Sequence, residues 1–121
     1  MSKILVVDDD VTITQLLKVL LTLEGHQPIV VNESTQAVEE AHSFQPDLIT
    51  LDLMMPGLTG FELCELLQKD PKLASIPIII VSARDDQESL NRAIQAGAKA
   101  YITKPFTADD LMQKIKQLTA A

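Results

Sequence analysis

A single cysteine, Cys64, stands in a chain of 121 residues, which excludes an internal disulfide and any cysteine-based metal cluster. On an apolar helix face such a residue serves as a small buried hydrophobe. No apolar stretch approaches the roughly 18 to 20 residues needed to span a bilayer. The amino terminus, Met1-Ser2-Lys3, enters a strand-like run directly, without the profile of a signal peptide; a cytoplasmic location is expected. There is no GxxxxGKS-type glycine loop, so nucleotide hydrolysis by a P-loop is excluded. Positive charge is also scarce. With 17 acidic and 10 basic residues the formal net charge is -7, which argues against direct contact with nucleic acid or an anionic membrane and favours protein partners.

What is present is an alternation. Ile4 to Val7, Pro28 to Val31, Leu48 to Leu51, Ile76 to Val81 and Ala100 to Thr103 are short, β-branched and mostly continuous in hydrophobicity, the pattern of strands buried on both faces. Between them apolar residues recur at helical spacing: Ile13, Leu16, Leu17, Leu20 and Leu23; Ala37, Val38 and Ala41; Phe61, Cys64 and Leu67; Leu90, Ala93 and Ile94; Leu111, Ile115 and Leu118. Asp10, Ser34 and Thr107 are expected helix N-caps, and Gly25 and Gly97 helix stops. Strict alternation with short connections predicts an α/β domain over residues 1–121: a parallel sheet with helices on both faces. No linker, low-complexity segment or longer repeat interrupts it.

The chemistry-bearing residues fall where the apolar runs end. Asp8 and Asp9 follow the first run, Asp52 the third and Lys104 the fifth. In a parallel sheet these ends share one edge, where open α/β sheets build their sites. Carboxylates about 5 Å apart repel by roughly 3 kcal/mol per pair at an effective dielectric near 20, so a hard divalent cation is expected among them. Magnesium fits best, with manganese as the alternative. A carboxylate can itself accept a phosphoryl group when a metal and a lysine neutralise the incoming oxygens. Asp52 is the expected acceptor, because Asp52-Leu53-Met54-Met55-Pro56-Gly57-Leu58-Thr59-Gly60 carries a proline and two glycines able to shape a turn around it.

These residues carry a resemblance. Lys3-Ile4-Leu5-Val6-Val7-Asp8-Asp9-Asp10, Asp52-Leu53-Met54-Met55-Pro56-Gly57, Val81-Ser82-Ala83 and Lys104-Pro105-Phe106 occur in order, and over essentially its whole length the chain resembles a response-regulator receiver domain of the single-domain chemotaxis type. The resemblance implies a flavodoxin-like, doubly wound (βα)5 fold with strand order 2-1-3-4-5. It implies Asp52 as phosphoacceptor, and Asp8, Asp9, Asp52 and the Met54 carbonyl as metal ligands. Ser82 and Lys104 would bind phosphoryl oxygens, and Ser82 and Tyr101 would form the switch. Met54 and Arg84 would tune phosphoryl lifetime, their bulk implying dephosphorylation slower than in the fastest chemotaxis members, and Lys104-Pro105 would be a cis peptide. Implied partners are a histidine kinase or phosphotransfer protein and a downstream protein effector, read through the fourth helix, fifth strand and fifth helix.

Two features depart from the family or compete with it. Lys99-Ala100 stands where regulators that dimerise on DNA carry an Asp-Asp pair before the fifth-strand aromatic, which speaks against that salt-bridged dimer. Asp8-Asp9-Asp10-Val11-Thr12 satisfies the DxDx[TV] signature of haloacid-dehalogenase-like phosphatases, with Asp8 as nucleophile, but that reading leaves Asp52 unexplained. A docking module that never accepts phosphate is disfavoured by the intact Asp8, Asp9, Asp52, Ser82 and Lys104. His26 and His42 lack ligand partners at metal spacing and read as surface residues. Asp85-Asp86 and Asp109-Asp110 sit at expected helix starts, where carboxylates favour the helix dipole.

Overall fold

Strands β1 (Lys3–Val7), β2 (Gln27–Val31), β3 (Leu48–Leu51), β4 (Ile78–Ser82) and β5 (Ala100–Thr103) pair in parallel in the order 2-1-3-4-5 in a computed structural model that describes residues 2–119. Five helices join and follow them: α1 (Val11–Leu23), α2 (Ala37–Phe44), α3 (Gly60–Lys69), α4 (Gln87–Gln95) and α5 (Ala108–Thr119). The parallel sheet expected from the alternation and the doubly wound order implied by the resemblance are both observed.

The pleat divides the core in two. Leu5 and Val7, Ile49 and Leu51, and Ile78 and Ile80 face α2, α3 and α4, where they meet Ala41, Leu63, Leu67 and Ala93. Ile4 and Val6, Leu48, Ile79 and Val81, and Ile102 face α1 and α5, against Leu17, Leu21, Leu111 and Ile115. Every strand of the middle three is therefore apolar on both sides, and each fully buried Leu or Ile stabilises the fold by roughly 2 kcal/mol. Cys64 is fully buried, its Sγ donating to the Ala96 carbonyl at 3.4 Å. Burial, reinforced by the charge of Glu65, pushes its thiol up to about 11.

Local signals place most helix ends. Asp10 caps α1, accepting from the Thr12 and Ile13 amides; Asp86 caps α4 through the Ser89 amide; the Thr107 hydroxyl accepts from Asp110. Gly25 and Gly97 adopt φ of +86° and +113° after α1 and α4, as helix stops do. Two expectations require correction. Strand β4 begins at Ile78 rather than Ile76, because Ile76 closes a turn onto Leu73 and Pro77 has no amide to donate. Ser34 is not a helix cap: it opens a 3-10 turn whose preceding residue is Glu33, and its hydroxyl is spent elsewhere.

Candidate functional site

The sheet ladder runs one residue past the strand ends, and this brings the site together. The Asp8 amide donates to Val31, the Asp52 amide to Val7 and the Lys104 amide to Ser82. Asp8, Asp52 and Lys104 thus continue the alternation of Ile4/Val6, Leu48/Thr50 and Ile102, the residues on the α1/α5 side. Asp8 and Asp52 end adjacent strands at the point where strand order reverses, the crevice in which open α/β sheets bind ligands.

Carboxylate oxygens of Asp8, Asp9 and Asp52 lie within 4.8 Å of one another. Asp8 is 3% and Asp52 8% exposed, whereas Asp9 faces solvent. Lys104 reaches across β4 and β3: its Nζ donates to Asp8 Oδ2 at 2.8 Å and to Asp52 Oδ2 at 3.4 Å. The remaining Asp8 oxygen accepts from the Asp10 amide at 3.0 Å, and the remaining Asp52 oxygen from the Met54 amide at 3.4 Å. Burial and the neighbouring Asp8 charge raise the Asp52 pKa above its ordinary value, against the lowering influence of Lys104 and the Met54 amide. Burial alone would lower Lys104, but its bonds and charge contacts with Asp8 and Asp52 outweigh that and hold it above the usual lysine range. Three acids against one lysine leave the pocket net negative. An all-carboxylate donor set at this spacing fits a hard divalent cation, which prefers oxygen ligands.

The Asp52 loop is fixed by alternation and by close approach. Leu53 and Met55 are buried while Met54 between them is 58% exposed. Gly57 holds φ at +82°. At Gly60 a Cβ would lie 2.2 Å from the Asp52 carbonyl oxygen and 2.6 Å from Leu53 Cα, so only glycine lets α3 start so near Asp52. Thr59 and Glu62 close the helix start with a capping box.

On the α2–α4 side, Ser82 and Tyr101 meet through one main-chain unit. The Arg84 amide donates to the fully buried Ser82 hydroxyl at 3.3 Å, and the Tyr101 hydroxyl donates to the Arg84 carbonyl at 2.6 Å. The Arg84 side chain turns to Asp86, its Nε 3.2 Å from Oδ1. The Lys104–Pro105 peptide is cis.

A family model for the response regulator receiver domain matches residues 4–116. The chain is a response-regulator receiver domain. The DNA-binding response regulator MtrA of Mycolicibacterium paratuberculosis is 35% identical over 115 residues, 95% of this chain and 50% of that protein; the chain spans about half the length of the curated relatives it matches. A response regulator structure from Chloroflexus aurantiacus superposes with a TM-score of 0.94 at 28% identity, covering 99% of this chain and 98% of the other. The signal receiver domain of a histidine kinase from Syntrophus aciditrophicus gives 0.91 at 33% identity, covering 99% and 91%.

Within this receiver domain, sequence reasoning missed several contacts. Ser34, from the β2–α2 connection, bonds both Pro56 and Leu58 of the Asp52 loop. Asn32 bonds the Asp8 carbonyl and the Thr14 hydroxyl. His42 is partnered after all: its Nε2 lies 2.6 Å from Asp70 Oδ2, while His26 Nδ1 accepts from the Ser2 amide. A bond from the Lys72 amide, followed by the His42 contact, holds Asp70 below the ordinary carboxylate range. These pairs are 18 to 28 residues apart, so no local spacing marks them. No helix among the described residues is long and apolar enough to cross a membrane.

Proposed function

We propose that this receiver domain, over residues 1–121 and in the cytoplasm, is a phosphorylation-dependent switch with Asp52 as the phosphoacceptor. A histidine kinase or phosphotransfer protein supplies the phosphoryl group: an Asp52 carboxylate oxygen attacks phosphorus, the phosphohistidine P–N bond breaks, and an acyl phosphate forms. Hydrolysis by water later returns phosphate and the free carboxylate, so the chain's own catalysis is limited to acquiring and losing that group. Asp8, Asp9, Asp52 and the Met54 carbonyl would hold Mg2+, or Mn2+ in its place, which supplies charge neutralisation for the phosphoryl oxygens. The observation that carries this reading is the three-carboxylate cluster with Lys104 bonded into it.

Phosphoryl transfer adds about -1.5 to -2 charge at Asp52 together with strong acceptor oxygens. Lys104 is drawn from Asp8 toward that charge, and Ser82 exchanges the Arg84 amide for a phosphoryl oxygen. Because Tyr101 is anchored on the same Arg84, its hydroxyl is released and the ring repacks inward. The α4–β5–α5 face changes shape and a protein effector reads it; the acidic chain itself makes no direct nucleic-acid or membrane contact. A solvent-facing Met54 and Arg84, held beside the site by its main chain, lengthen the phosphoryl lifetime. The phosphatase alternative makes Asp8 the nucleophile and leaves Asp52, bonded to Lys104 beside it, without a role.

Acetyl phosphate with Mg2+ tests the assignment. One acid-labile phosphate should appear and map to the Asp52 peptide; label on Asp8, or undiminished label in Asp52→Asn, would overturn it.

A further inference from the structure

Two carboxylate-bearing loops form the site, and a third loop that carries none of its chemistry is bonded to both. In the β2–α2 connection, Asn32 Nδ2 donates to the Asp8 carbonyl at 2.8 Å and to Thr14 Oγ1 at 3.0 Å. Two residues later the buried Ser34 hydroxyl donates to the Pro56 carbonyl at 3.0 Å and accepts from the Leu58 amide at 3.0 Å. A hydroxyl has one proton and two lone pairs, so this arrangement uses the donor and one acceptor on either side of a single residue. That residue is Gly57, left-handed at φ +82°, where a Cβ would lie 3.4 Å from Ser34 Oγ and Thr35 Cγ2. Asn32 thus grips the turn bearing Asp8 and Asp9, and Ser34 grips the loop bearing Asp52 and Met54.

We propose that Asn32 and Ser34 are positioning residues that set the metal-side carboxylates and the acceptor loop in one frame for phosphoryl transfer. The proposal rests on the function given above and adds two residues to it. The sheet already fixes the Asp8 and Asp52 backbones, whose amides donate to Val31 of β2 and Val7 of β1. Beyond Asp52, however, the loop leaves the sheet, and the Met54 carbonyl lies in a stretch whose amides and carbonyls have no strand to pair with. Ser34 supplies the missing partners at residues 56 and 58. Asn32 does the same for the Asp8 carbonyl and, through Thr14, ties that turn to the first turn of α1. Loss of such supporting bonds around a metal or reacting group costs about 10 to 100-fold in affinity or rate, because the reacting groups drift by fractions of an ångström.

The two residues should fail differently, which separates positioning from a general loss of structure. Ser34→Ala is expected to slow labelling by acetyl phosphate about tenfold at saturating Mg2+ while its Mn2+ dissociation constant, read from free Mn2+ by electron paramagnetic resonance, moves less than about twofold. Ser34→Thr, which keeps the hydroxyl, should recover most of the rate. Asn32→Ala should raise the Mn2+ dissociation constant about tenfold and leave the labelling rate at saturating metal within about threefold of wild type. Thermal melting of each variant reports on the fold. Wild-type labelling on Asp52 together with unchanged rate in Ser34→Ala would overturn the proposal, as would parallel losses of melting temperature, metal affinity and rate in both variants without recovery in Ser34→Thr. A wild-type chain that takes no label on Asp52 would instead remove the function on which the proposal stands.

Discussion

Lys104 is bonded to Asp8 at 2.8 Å, closer than the 3.4 Å that separates it from Asp52. The lysine therefore neutralises the carboxylate next to the expected metal position more than the expected acceptor. On the proposed function, a divalent cation held by Asp8 would weaken the lysine's hold there and leave it available to Asp52.

Removing Lys104 leaves two nearly buried carboxylates without their cation. Lys104→Ala should destabilise the metal-free protein by about 3 kcal/mol, measured by urea unfolding, and saturating Mg2+ should recover more stability in the variant than in wild type. Equal unfolding midpoints without metal would show that the pair contributes nothing. With metal present the variant should still accept phosphate, slowly, yet fail to gain affinity for an effector.

Asp52→Asn should stabilise the fold as it abolishes labelling. Folding raises the Asp52 pKa from its ordinary value of 3.8, so its contribution is most favourable below that value and is lost as pH rises through the folded pKa. Asparagine carries no charge and escapes that loss. At pH 7 the variant should melt higher than wild type, and the difference should vanish toward pH 3. A variant no more stable at pH 7 than at pH 3, relative to wild type, contradicts the raised pKa.

Tyr101 is the only tyrosine and there is no tryptophan, so intrinsic emission reports on one ring. Acetyl phosphate with Mg2+ should change that emission, and Asp52→Asn should not respond. A phosphorylated protein with unaltered emission would remove Tyr101 from the switch. Tyr101→Phe, which loses only the bond to the Arg84 carbonyl, should label at the wild-type rate.

Gly60→Ala places a methyl 2.2 Å from the Asp52 carbonyl oxygen. Overpacking of this kind costs about 1 to 3 kcal/mol, and here relief requires the Asp52 loop to move. Labelling should fall along with stability; a variant that keeps both would mean that α3 yields without disturbing Asp52.

The buried Cys64 thiol, pushed up to about 11, should resist modification. At pH 8 its reaction with a disulfide reagent should be slower by on the order of 100-fold than in the urea-unfolded chain. Similar rates would show that the α3–α4 contact opens readily.

Much of this domain was legible before folding because it is written in local pattern. Continuous apolar runs such as Leu48–Leu51 announce strands covered on both faces, and Asp10, Thr107, Gly25 and Gly97 mark helix ends by chemistry that acts within a turn. Placing Asp8, Asp52 and Lys104 at strand ends was sufficient to anticipate that they converge, since parallel strands bring their carboxyl ends to one edge. Local pattern failed where a nonlocal partner outbid it. Ser34 has the composition of a cap, yet its hydroxyl is taken by a loop more than 20 residues away. Ile76 has the composition of a strand residue, yet its amide serves a turn.

The sequence by itself determined the elements, their alternation and the inventory of charges at one end of the sheet, because hydrophobic period and capping act between neighbours along the chain. Only the tertiary structure decided how those charges are shared: that Lys104 sits on Asp8, that Ser82 and Tyr101 hold the same Arg84, and that Asn32 and Ser34 brace two loops. Hydrogen bonds and ion pairs depend on distances of tenths of an ångström between residues remote in sequence, and strand order, pleat and loop path set those distances.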